Sequence, residues 1–347
     1  MKGLVLCGIA LASVVVVLGA YTRLVDAGLG CPDWPGCYGF LSVPASAEEV
    51  AAAEARFPDS PVEPDKAWPE MVHRYFAALL GLLALAIWAV AWRQRRAMAL
   101  PTALVVLVVA QGIFGAWTVT LKLWPQVVTA HLLGGFATLA LLWVYALKIG
   151  AIPSLPVPKS LTSHTAAAIA VVVLQVAIGG WTSSNYAALA CPDFPACHGS
   201  LLPDMDFRAG FNLAQDVGPN YLGGTMASDA RVAIQMTHRL GAFVVLLVVG
   251  WLVFRLVGPL RWILGGVLVV QFCLGIVNVL AQLPLAVATL HNAGAALLLL
   301  ALVTVYAAAV GAWRRETRAP NPGSPDRAPN ASDRAQLSTW HNLNSIR

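Results

Sequence analysis

Four of the seven histidines, His73, His131, His238 and His291, stand at the ends of long apolar runs. Ionisable groups in such runs are costly and mark functional candidates. These four form a pattern. His131 and His291 are 160 residues apart, and His73-Arg74 recurs as His238-Arg239 165 residues on. For one isolated histidine, a ring satisfied by a neighbouring carbonyl is the plainer reading; four in a repeating pattern point to ligands. Zinc or copper would recruit a third or fourth side chain from Cys, Asp or a further His. Two opposed histidines without such company suit the axial positions of haem iron. Gly134 and Gly135 follow His131 by three and four residues, Gly241 follows His238 by three, and Gly294 follows His291 by three. Those spacings share a helix face, which would clear room beside each ring for a flat macrocycle. Arg74 and Arg239 adjoin a ligand and are candidate partners for haem propionates; snorkelling to lipid headgroups is their alternative.

A carboxylate breaks the pattern. Glu70-Met71-Val72-His73-Arg74 aligns with Gln235-Met236-Thr237-His238-Arg239. At three residues from His73, Glu70 shares its pocket if the helix begins early enough, and there it can move protons or stabilise positive charge. The neutral Gln235 can do neither. The first half is therefore the candidate for the reaction and the second for a permanent haem that delivers electrons. The competing reading of Glu70 is a first-turn glutamate favoured by the helix dipole.

Two cysteine motifs recur as well. Cys31-Pro-Asp-Trp-Pro-Gly-Cys37 and Cys191-Pro-Asp-Phe-Pro-Ala-Cys197 each hold five residues between thiols, more than the two to four usual in zinc fingers and ribbons. One disulfide per loop, Cys31–Cys37 and Cys191–Cys197, is the favoured reading, with a labile redox pair as the alternative. Cys7 and Cys273 read as small apolar packing residues. His164 reads as a helix-entry residue, His198 falls opposite Tyr38 in the repeat, and His341 lies in the tail.

The elements that must position these groups follow from composition. Of 347 residues 58% are hydrophobic and 11% charged, against about 25% charged in an ordinary soluble domain. That excludes a soluble multidomain enzyme, a disordered chain and a disulfide-dense secreted module. The net charge of +5 forms no single basic patch, so nucleic acid is no expected partner. Apolar segments long enough to span a bilayer run roughly Leu4–Tyr21, Tyr75–Trp92, Thr102–Leu121, Val127–Leu147, Thr165–Thr182, Val232–Phe254, Trp262–Ala281 and Leu285–Trp313. The expected fold is an all-α integral membrane protein of eight transmembrane helices. Basic residues gather in the turns at Arg93–Arg96, Lys148/Lys159 and Arg255/Arg261 and at Arg314-Arg315, while 14 of the 17 acidic residues fall in two long loops. The positive-inside rule then puts both termini in the cytoplasm and the cysteine loops outside it. The tail after Trp313 reads as disordered.

The repeat extends beyond the histidines. Gly19, Thr22, Cys31, Pro32, Asp33, Pro35, Cys37, Gly39, Gln111 and Gly115 recur at an offset of 160 as Gly179, Thr182, Cys191, Pro192, Asp193, Pro195, Cys197, Gly199, Gln271 and Gly275. Two tandem four-helix bundles are expected, residues 1–150 and 151–313, with 314–347 as tail. An even number of spans per unit relates them by a pseudo-two-fold axis along the membrane normal.

Eight spans in two repeats, the Cys-Pro-Asp-Trp-Pro-x-Cys loop, Glu70-x-x-His73-Arg74 and the histidines opening spans 4, 6 and 8 resemble the haem A synthase family, in its bacterial form with two cysteine pairs. The resemblance covers about residues 1–313. It implies an oxidoreductase of the bacterial cell membrane that converts haem O to haem A, oxidising the C8 methyl to a formyl group by successive hydroxylations and loss of water. It further implies that His238 and His291 ligate the iron of a haem b cofactor, that His73 and His131 flank the substrate haem O, and that Glu70 is required for turnover. By the same likeness Cys31 and Cys37 take part in substrate handling, and Cys191 and Cys197 are structural. Haem O synthase and cytochrome oxidase assembly factors are the implied partners. Two rivals use the same residues: a di-haem b-type quinol oxidoreductase that only carries electrons, which has less need of unequal pockets, and a membrane thiol oxidase, which leaves the four histidines unexplained.

Overall fold

A computed structural model describes residues 1–153 and 155–316, the side chains of 312–316 aside. The tail read as disordered after Trp313 begins instead as the last turn of a helix, to Glu316, and its remainder from 317 onward, with His341, lies outside the described residues. Among the described residues ten α-helices follow one another: α1 (Lys2–Leu24), α2 (Ala47–Arg56), α3 (Pro64–Arg93), α4 (Ala99–Thr120), α5 (Pro125–Lys148), α6 (Thr162–Ser184), α7 (Phe207–Gly210), α8 (Ser228–Arg255), α9 (Pro259–Leu280) and α10 (Leu285–Glu316). All but α2 and α7 are long and apolar enough to cross a membrane, which makes this a multi-pass membrane protein of eight candidate spans. Among the described residues there is no strand.

Helix starts differ from the apolar counts where polar turns precede the lipid-facing stretch. α3 begins at Pro64 and α8 at Ser228, well ahead of Tyr75 and Val232. Proline opens α3, α5 and α9, where its fixed φ suits the first helical position and its missing N–H removes nothing. The early start of α3 places Glu70 in its second turn, past the first-turn position that a dipole effect alone would favour. Within the first long loop, α2 is set by a capping box: Ser46 accepts from the Glu49 amide and Glu49 reaches back to the Ser46 amide.

Neighbour relations in the two halves match. α1 packs on α3, α3 on α4, α4 on α5 and α5 on α1, a ring in which α3 and α5 stand across from each other. α6, α8, α9 and α10 close a second ring in the same order, with α8 and α10 across it. The halves meet through α5 on α6, α1 on α10 and α5 on α10. Lipid offers apolar side chains nearly as good a home as the protein does, so close packing at small residues must hold such helices together. A Cβ at Gly180 would come within 3.0 Å of Leu132 and 3.2 Å of Thr129, which shows how tightly α6 lies on α5. Gly8 of α1 lets Leu142 and Ile87 approach in the same way. Cys7 and Cys273 are exposed on the helix surfaces, so neither is the interior packing residue its apolar surroundings suggested.

At the end of the bundle that carries the cysteine loops, positions equivalent under the repeat touch one another. Tyr186 Oη donates to Asp26 at 2.7 Å, Arg23 donates to the Ser183 carbonyl, and the Arg23 guanidinium lies 4.1 Å from the centre of the Tyr186 ring. The longer second loop also crosses onto the first half. The Tyr221 amide donates to the Lys122 carbonyl at 3.0 Å, and Trp124 and Gln126 donate to the carbonyls of Gln215 and Leu213. Residues 213–221 thus form a strap over the turn that leads into α5.

Candidate functional site

Each histidine is seated against a glycine on the adjacent helix. A Cβ at Gly19 of α1 would lie 3.0 Å from His73 Cε1, and one at Gly179 of α6 would lie 3.1 Å from His238 Cε1. A Cβ at Gly115 of α4 would lie 3.5 Å from His131 Cε1, and one at Gly275 of α9 would lie 3.2 Å from His291 Cε1. The glycines three residues beyond the histidines do something else. Gly134, Gly294 and Gly241 receive the amide ends of Gln111, Gln271 and Gln175, which any Cβ there would overlap. The space for the rings thus comes from the neighbouring helices, and the intrahelical glycines lodge glutamines. Both glycine pairs and the Gln111/Gln271 pair are visible in the repeat; only the helix partners, which come from tertiary packing, were out of reach.

The pairing of histidines follows from the rings of helices. His73 on α3 and His131 on α5 stand on helices across the first ring from each other, as do His238 on α8 and His291 on α10 in the second, and within each pair the imidazoles are close enough to interact electrostatically. Nδ1 of His73, His131 and His291 is buried without a hydrogen-bond partner, as is Oε1 of Gln175 and of Gln271. Buried polar atoms are rarely left unpaired. Imidazoles facing in twos across a bundle, with unsatisfied nitrogens and glycines shaved to admit their rings, fit an axially held porphyrin. Among the described residues no group of three or more His, Cys, Asp or Glu stands in metal-binding array, so the histidines gather in twos only.

Above each pair sits a cysteine loop. Both disulfides form, Cys31–Cys37 with Cα atoms 4.8 Å apart and Cys191–Cys197 with 4.7 Å. An aspartate ties each loop: Asp33 accepts from the amides of Tyr38 and Gly39, and Asp193 from those of His198 and Gly199. The arginines are turned to these loops. Arg74 donates to the carbonyls of Asp33 and Gly36, and Arg239 to those of Ala196 at 2.7 Å and Cys191 at 2.8 Å.

The halves part company at the carboxylate. Glu70, 5% exposed, forms an ion pair with Arg74 through Oε1 and accepts from the Cys31 amide at 2.9 Å through Oε2. It therefore ties the helix that carries His73 to the first disulfide loop. Gln235 is buried at the equivalent place, but its Oε1 has no partner, and Arg239 reaches the Cys191 carbonyl directly. The remaining histidines have local roles. His164 lies against Trp251 near the start of α6, and His198 Nε2 contacts the Ala190 carbonyl. In the first loop Tyr38 replaces it; its hydroxyl donates to Pro61, and burial raises its pKa above the ordinary value.

The fold and site define an eight-span, internally repeated membrane protein with a facing histidine pair in each half. Residues 2–303 match the family model described as cytochrome oxidase assembly protein. The chain is 45% identical to the Heme A synthase of Shewanella oneidensis over 302 residues, 84% of this chain and 91% of that protein. It is 27% identical to the Heme A synthase of Maricaulis maris and 29% identical to that of a Caulobacter species, spanning 91% of each and 85% and 86% of this chain. The chain belongs to the haem A synthase family.

Proposed function

We propose that this oxidoreductase converts haem O to haem A, with the substrate between His73 and His131 in residues 1–150 and a haem b cofactor between His238 and His291 in residues 151–313. The observation that carries the reading is the replacement of Glu70 by Gln235 three residues before the repeated His-Arg pair, together with the different hydrogen bonds the two residues make. A haem held by two imidazoles supplies one-electron redox chemistry. The protein does the rest. His73 and His131 orient the substrate ring, and Glu70 holds charge or a proton near the carbon being oxidised. Arg74 pairs with that carboxylate and fastens the disulfide loop above it, so Cys31 and Cys37 shape substrate handling through Glu70, while Cys191–Cys197 is structural. Arg74 and Arg239, one residue from a ligand, are also the cations available to propionates. The distribution of basic residues supports cytoplasmic termini and extracytoplasmic cysteine loops in a bacterial cell membrane, where haem O synthase and cytochrome oxidase assembly factors would be partners.

The test is co-expression of the full chain with a haem O synthase, followed by extraction of total haem. Haem A should appear only when the chain is present; a well-assembled protein that yields none under air would sink the reading in favour of an electron carrier. Glu70→Gln should abolish product while tightly bound haem is kept, whereas His238→Ala or His291→Ala should deplete that haem. Loss of bound haem in Glu70→Gln would reduce Glu70 to a structural residue.

A further inference from the structure

Gln175 is set against His238 in a way that has no counterpart in the first half. Its Nε2 lies 3.1 Å from His238 Nδ1 and donates to the His238 carbonyl at 2.9 Å. The amide occupies a recess kept open by Gly241, where any Cβ would overlap its Oε1. Under the repeat, the positions of Gln175 and Gly241 are taken in the first half by Val15 and Phe76, and Nδ1 of His73 is buried with no partner. Two coupled differences, an amide and a recess to hold it, thus separate one histidine from its twin. Gln111 and Gln271, by contrast, fill matching recesses at Gly134 and Gly294 in both halves, although Gln271 Nε2 also lies 3.4 Å from His291 Nε2.

We propose that Gln175 is a positioning residue that fixes the His238 ring through Nδ1, making the second half a permanent grip and leaving His73 in the first half free to exchange. The proposal rests on the reading of His238 and His291 as haem b ligands. A ligating histidine is oriented and made more basic by the hydrogen bond on its other ring nitrogen. Gln175 serves both forms of the ring. Its Nε2 donates to a bare Nδ1; its Oε1, buried without a partner, can accept from Nδ1–H once a metal takes the other nitrogen, after a half-turn of the amide. The valine side chain offers neither, so only the Val15 backbone approaches the His73 ring there. A half that must bind substrate and release product gains from a ring that no side chain tethers.

The experiment uses the purified full-length protein and reads haem release to a scavenging apoglobin together with the midpoint potential of the bound haem. Gln175→Leu, close in volume but unable to hydrogen-bond, should release haem about tenfold faster and raise the potential, because a less basic imidazole stabilises oxidised iron less. Gln175→Glu, which keeps an acceptor, should restore retention and lower the potential. Gly241→Ala should reproduce the leucine variant by pushing the amide away while Gln175 remains, which preserves the test if Gln175→Leu folds poorly. Wild-type release and potential in folded Gly241→Ala and Gln175→Leu overturn the proposal. His238→Ala locates the failure: if tightly held haem survives that change, the ligand assignment is wrong; if it is lost there yet unaltered in Gln175→Leu, only the positioning role falls.

Discussion

At the scale of single residues, the fit between imidazole and glycine is the most demanding feature. A Cβ at Gly19 or Gly179 would meet His73 or His238 more closely than ordinary van der Waals contact, whereas one at Gly115 would meet His131 at a normal contact distance. Overpacking such a site costs about 1–3 kcal/mol. Gly19→Ala and Gly179→Ala should therefore lower the unfolding midpoint, and Gly179→Ala should also reduce bound haem. Gly115→Ala should stay within roughly 0.5 kcal/mol of wild type. Thermal unfolding and haem content of the three variants check the ranking. The histidines themselves were legible because their cost in an apolar run is a property of the sequence. Their seats were not, since a glycine's role there depends on which helix lies beside it. Glu70 was legible as an asymmetry; its two partners, the Cys31 amide and Arg74, were not, because one of them is backbone 39 residues away.

At the scale of elements, the cysteine loops behave as prefabricated turns. Asp33 and Asp193 each accept from two successive loop amides, and the Gly199 amide, with that of His198, holds the Asp193 carboxyl below its ordinary pKa. A depressed folded value means that this carboxylate steadies the turn above the usual aspartate range and ceases to do so as pH falls through the lowered value. Protection of the His198 and Gly199 amides, their exchange taken relative to the intrinsic rate at each pH, should accordingly fall on acidification, and Asp193→Asn should remove that dependence; acid-insensitive protection in the wild type would contradict it. The Cys-Pro-Asp-x-Pro-x-Cys pattern announced the bridge and the turn together. The strap of residues 213–221 was invisible for the opposite reason. It has no hydrophobic period, and it is held through the carbonyls of Gln215 and Leu213 and the Tyr221 amide, backbone groups that every residue type but proline possesses in full.

At the scale of the whole molecule, eight spans and their internal repeat could be read from apolar length and a fixed offset, because both are one-dimensional. Which helices stand across a bundle could not. That placement turns four separate histidines into two facing sets, and it rests on contacts between helices distant in sequence. Orientation remains open to direct measurement: reporter fusions should be active in the cytoplasm at the C-terminus and outside it within either cysteine loop, and the reverse pattern would invert the topology. The seam between the halves carries one more lesson. Arg23 meets Ser183, and Asp26 meets Tyr186, at positions separated by the repeat length. Contacts between equivalent positions are what an isologous dimer makes with itself. Two copies of the first half would set arginine on arginine and aspartate on aspartate. Two copies of the second would lose both charges and the ring-to-guanidinium contact. The contacts seen at this seam thus favour the pairing of unlike halves over that of either half with its own image.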